Sequence, residues 1–171
     1  MQFFERLAAE TRQDPAILAT TPQIRDGLAG RITRETYVAY LAEAYHHVSH
    51  TVPLMQAAKA RLDERHDRFR SALDEYIAEE TGHEAWILND IAACGGDAEA
   101  VRAGAPRDAT RRMVAYAYDY IERVNPMGFF GMVFVLEGTS VQLATLGASA
   151  VAASLGLGAD CFTYLTSHGA L

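Results

Sequence analysis

The chain has 171 residues and is 50% hydrophobic, enough for one domain with a core of its own. Its formal net charge of -7 excludes a basic nucleic-acid face, and no run of lysine and arginine marks an anionic membrane surface. Alanine, leucine and glutamate are abundant and apolar residues recur at helical spacing, so the expected fold is all-α, one helical domain over residues 1–171.

The opening Met1-Gln2-Phe3-Phe4-Glu5-Arg6 lacks the charged-then-apolar layout of an export signal. Cys94 and Cys161 show no metal or redox spacing and read as small core fillers in a reducing cytoplasm. Residues 2–30 read as short helices broken at Asp14-Pro15 and Thr21-Pro22. A long helix is expected from an N-cap at Thr33 past His50, with a kink at Pro53. Another is expected over 66–93, ending at Cys94-Gly95-Gly96, where glycine supplies a left-handed cap. After a polar connection, Asp108 or Thr110 can cap a helix that runs to Val124 and stops at Asn125-Pro126. The next helix begins near Phe129 and breaks at Gly147 or Gly156, and a last one starts near Asp160.

The apolar stretch after Phe129 reaches the roughly 20 residues that span a bilayer. Its small polar residues, the Asn125-Pro126 at its start and the acid at its centre read instead as the buried central helix of a bundle. That acid, Glu137, is the only ionisable side chain between Arg123 and Asp160. A buried carboxylate must be protonated, paired or bound to a cation, because leaving it bare costs several kcal/mol.

Other helices offer Glu137 company. Stepping by seven from Leu73 gives Glu80 and Ile87, and stepping by seven from Tyr76 gives His83. Both polar residues therefore fall on the core-facing stripe of the 66–93 helix. A glutamate and histidine at i, i+3 form a helical metal-binding unit, although the same short motif also serves as a buried ion pair. Histidines aside, Glu43 is the only charged residue between Glu35 and Lys59, and His46, His47 and His50 follow it; at least one shares its face. The final helix carries His168 behind Phe162, Tyr164 and Leu165. Three carboxylates in one apolar core repel unless cations neutralise them. Mixed oxygen and imidazole donors favour iron, or manganese, over a thiolate-rich zinc site. Tyr40, Tyr45, Tyr76 and Tyr164 are candidates to line the cavity beside such a site, with His47 and His50 behind it.

The run Glu79-Glu80-Thr81-Gly82-His83-Glu84, the Glu137 helix and His168 together resemble the heme-oxygenase-like di-iron oxidases. These iron-containing redox enzymes belong to the wider TenA, thiaminase-II and PqqC superfamily, and the resemblance runs from about residue 33 to the end. It implies a heme-oxygenase-like bundle and a likeness to homodimers. It also implies a non-heme di-iron centre that uses dioxygen to oxidise a small carboxylate, amine or amino-acid-like substrate. By that resemblance Glu43, Glu80, His83, Glu137 and His168 are metal ligands, with Glu137 the bridging carboxylate and Glu80 and Glu137 the catalytic pair. His168 opens a motif of the form H-x3-D-x2-H whose other members fall beyond Leu171, so the last helix is expected to be truncated.

Two further readings stand beside the oxidase: a TenA-like ligand-binding or regulatory protein without catalysis, and a metal-independent enzyme of the thiaminase or PqqC type. Thiaminase chemistry needs a cysteine nucleophile in the pocket, and the Glu137 helix has none. An axial heme histidine near the N-terminus is also missing, since the first histidine is His46.

Overall fold

The computed structural model describes residues 2–167, and every regular element among them is helical. Three short helices come first: α1 (Phe3–Glu10), α2 (Asp14–Ala19) and α3 (Pro22–Leu28). Pro15 and Pro22 sit in the first turns of α2 and α3, where a missing N–H costs nothing. α4 (Arg34–Val48) begins as the sequence suggests, with the Thr33 hydroxyl accepting the Thr36 N–H at 3.2 Å.

The expected kink at Pro53 is a full break placed earlier, at Ser49-His50, before α5 (Thr51–Arg61). Proline cannot accommodate the carbonyl four residues back, so the discontinuity falls upstream, at the residue whose carbonyl it would meet. The helix expected over 66–93 is likewise two helices, α6 (Asp67–Glu80) and α7 (His83–Ala93). Between them Thr81 is extended and Gly82 sits at φ 96, a left-handed conformation that favours glycine. At the far end of α7, Gly95 at φ 79 terminates the helix as expected.

After α8 (Ala98–Ala103), α9 (Asp108–Asp119) winds into a wider turn, Tyr120–Val124, before Asn125. The Arg61 guanidinium closes that turn, donating to the Ile121 carbonyl at 2.6 Å. The long α10 (Gly128–Leu155) passes through Gly147 and stops at Gly156, whose φ is 64. A turn at Ala159–Cys161 leads to α11 (Thr163–Ser167). No single helix among the described residues is long and apolar enough to cross a membrane.

Two apolar cores hold these helices together. The first gathers Tyr37 and Leu41 of α4, Ile87 and Ile91 of α7, Val151 of α10, and Cys161 with Phe162. The second gathers Leu54 and Met55 of α5, Leu73 of α6, Ile121, and Phe129 of α10. Each fully buried leucine, isoleucine or methionine contributes about 1.5–3 kcal/mol relative to leaving it in water. α4 packs on α7, α5 on α6, and α2 and α3 lie on α10. α11 sits against both α7 and α10.

Candidate functional site

A cavity of 280 Å³ opens where the two cores meet, walled by Tyr37 and Val151 from the first and by Leu54 and Phe129 from the second. Glu80 and Glu137 both line it, Glu80 as the last residue of α6 and Glu137 in the first half of α10. Glu80 is only 7% exposed. Its Oε2 lies 3.0 Å from His83 Nδ1. The E-x-x-H pair therefore forms across a helix break: Glu80 ends one helix and His83 begins the next. The His83 ring is stacked 4.0 Å from Trp86, which fixes the plane of the imidazole.

Phenols surround the carboxylates. Tyr76, one turn before Glu80 on α6, donates from its hydroxyl to Glu137 Oε1 at 3.2 Å and so joins α6 to α10. Burial raises the Tyr76 pKa above the ordinary phenol value, and the negative charges of Glu137 and Glu80 raise it further. The Tyr164 pKa is raised in the same way, by burial first, then by Tyr40, Glu137 and Glu80. Tyr40 also lines the cavity, and burial raises its pKa. His47 stands on the same wall, its pKa lowered by burial and then by His50.

Other expected site residues are placed elsewhere. Glu43 is turned away from Glu80, His83 and Glu137: its carboxylate accepts the Arg107 N–H at 3.2 Å and the Thr110 hydroxyl, and pairs with the Arg107 side chain. A carboxylate at the first turn of a helix satisfies free N–H groups and meets the positive end of the helix dipole. Glu43 thus does for α9 what Asp108 or Thr110 was expected to do from within it. His50 lies 3.2 Å from the Tyr118 hydroxyl of α9, and Tyr45 packs on the first core beside His46. His168 lies outside the described residues.

One site-shaping residue escaped the sequence reading. Asp90, fully buried on α7, accepts the Thr163 N–H at 3.0 Å, the Tyr164 N–H at 2.9 Å and the Thr163 hydroxyl. It caps α11 from a neighbouring helix and so sets the direction of the segment that carries Tyr164. Burial raises its pKa, while these three hydrogen bonds pull it down. The signal was present, since one more step of seven beyond His83 reaches Asp90.

Among the described residues, no group of three or more His, Cys, Asp or Glu side chains is gathered closely enough to hold a metal ion. What these residues supply is a bonded carboxylate–imidazole pair, Glu80 and His83, with a second carboxylate, Glu137, hydrogen-bonded to Tyr76. In donor chemistry, oxygen and imidazole without thiolate, that set fits iron or manganese.

The family described as iron-containing redox enzyme matches this chain over residues 38–171. Among solved structures, the chain is similar to a domain of unknown function with a heme oxygenase-like fold from Shewanella denitrificans. The similarity has a TM-score of 0.87 at 25% identity and covers 99% of this chain and 73% of that one. No curated protein matches the chain.

Proposed function

The chain belongs to the iron-containing redox enzyme family, and from that premise we propose that it is a dioxygen-dependent non-heme iron oxidase or oxygenase acting on a small organic substrate. The observation that carries the proposal is the Glu80–His83 pair, with Glu80 buried and lining the same cavity as Glu137. Glu80, His83 and Glu137 would hold the metal, with His168 as a further ligand and a di-iron centre as the fuller arrangement. Manganese is the alternative metal.

Iron held by these residues would supply the redox chemistry toward dioxygen, with the substrate as reductant. The protein's own contribution is positional and electrostatic. Tyr76 steers Glu137 through its hydrogen bond, and Trp86 holds the His83 ring. Apolar side chains from both cores, Tyr37, Val151, Leu54 and Phe129 among them, form much of the wall around the carboxylates. Tyr164 and Tyr40 offer hydroxyls toward the same end, where they can orient a substrate's polar group. Assembly as a homodimer in the cytoplasm belongs to the same proposal.

Anaerobic loading with ferrous iron, followed by metal analysis and exposure to dioxygen, tests it. About one iron per chain or more, with an absorption change on oxygenation, is the expected result. Less iron than that, or iron that Glu80→Ala and Glu137→Ala leave unchanged, overturns the oxidase. The cavity would then belong to a protein that binds a ligand without transforming it.

A further inference from the structure

We infer that Cys94 and Cys161 are an oxidisable pair, joined by a reversible disulfide that fastens the turn ahead of α11 to the end of α7. Far apart in the chain and without redox spacing, both are free thiols in the first apolar core, 1% and 2% exposed. Neighbouring contacts place them side by side. Asp90, whose carbonyl takes the Cys94 N–H at 2.9 Å, also accepts the Thr163 N–H on its carboxylate at 3.0 Å. Thr163 stands two residues after Cys161. The Tyr37 hydroxyl donates to the Cys161 carbonyl at 2.9 Å, and its pKa is raised by burial, then by Asp90, Cys94, Tyr40 and Cys161. The two thiols also meet each other: burial, and next the Cys161 thiol, push the Cys94 pKa up to about 12. Neither cysteine lines the cavity, so the pair lies outside the site described above.

The reaction balances with a peroxide as the two-electron oxidant. One sulfur gives up its proton and attacks a peroxide oxygen; the O–O bond breaks, leaving a sulfenic acid and one water. The second sulfur then displaces the hydroxyl of that sulfenic acid. An S–S bond forms, the S–O bond breaks, and the departing hydroxyl leaves with the second thiol's proton as another water. Packed as they are, the thiols are inert, because nucleophilic attack needs a thiolate that solvent can reach. Oxidation therefore runs through a local opening, and the fold has a place for one. α11 is a five-residue helix, and Asp90 holds its first residues to α7 through the Thr163 and Tyr164 N–H groups. Once formed, the disulfide holds that joint in place of the hydrogen bonds, and with it the segment that carries Tyr164 to the cavity wall. Cellular thiols would reverse it.

Hydrogen peroxide applied to the whole chain, with remaining thiols alkylated and peptides mapped without reduction, tests the pair. A peptide cross-linked through Cys94 and Cys161 should appear, vanish with dithiothreitol, and be absent from Cys94→Ser and Cys161→Ser. The cross-linked chain should melt about 5 °C or more above the reduced one, because the bond closes a long loop, and should return on reduction. Asp90→Asn should form the cross-link roughly tenfold faster, since it weakens the hold on α11. Leu73→Ala, in the second core, should cost at least as much stability and leave the rate unchanged. Thiols that stay free, or that gain oxygen without joining, overturn the inference. Equal acceleration by Leu73→Ala would place the oxidation in the unfolded chain and overturn it too. A cross-link that leaves the melting temperature where it was overturns the fastening of α11.

Discussion

The Tyr76 hydroxyl and Glu137 Oε1 lie 3.2 Å apart and form a side-chain hydrogen bond between α6 and α10. Tyr76→Phe removes that bond while keeping the ring. Thermal unfolding should show a loss of about 1 kcal/mol, the usual net worth of one such bond. Iron should still bind, with a changed absorption spectrum because Glu137 has lost its steering partner. An unchanged spectrum in the iron-loaded variant would count against any role for Tyr76 in positioning the carboxylate.

Glu43 offers a test of a different kind, because family resemblance makes it a ligand while the structure makes it a cap. Glu43→Ala should destabilise the fold by about 1–2 kcal/mol through α9, in the range of other lost helix caps. Iron stoichiometry should not change. Lost iron with an unaltered melting temperature would return Glu43 to the metal site.

Asp90→Ala leaves the Thr163 and Tyr164 N–H groups without their acceptor in a partly buried place. A loss of about 2–4 kcal/mol is expected from denaturant unfolding. Asp90→Asn, which keeps one carbonyl oxygen, should lose less. Equal losses for alanine and asparagine would show that one retained carbonyl oxygen does not suffice and that Asp90 acts through both carboxylate oxygens or its charge.

The bundle was largely legible in the sequence, and the reasons are local. Thr33, Pro15, Pro22, Gly95 and Gly156 act within their own turns, so spacing and residue type reveal them. Glu137 was legible because nothing else charged stands near it in the chain. The split between α6 and α7 was not, because a lone Thr-Gly inside a strong helical pattern is usually tolerated as helix. Glu43 shows the deeper limit. A solitary acid on an apolar helix can answer a metal or the bare start of another helix, and periodicity cannot see Arg107, which lies 64 residues away.

His47 should leave a signature in the pH dependence of stability. Its pKa is lowered below 6.5 by burial and then by His50, so the folded chain prefers the neutral ring. Below 6.5 the unfolded chain takes up a proton that the folded one resists. Stability should therefore fall as pH drops through 6.5 toward the lower folded value, and flatten beneath it. His47→Gln should remove that component. Denaturant titrations across this range check it, and an identical slope in the variant would assign the fall to other groups.

The interruption at Thr81 and Gly82 changes what kind of unit Glu80 and His83 form. On one continuous helix the two donors could only travel together, at a spacing set by helical geometry. Carried on α6 and α7, they sit on opposite arms of a joint. A small change in the angle between the arms alters the donor spacing directly, without unwinding either helix. With φ at 96 and open space around its missing Cβ, Gly82 makes that joint through backbone conformation alone. The two donors can thus be tuned from the outside of the bundle, by whatever sets the angle at which α6 meets α7.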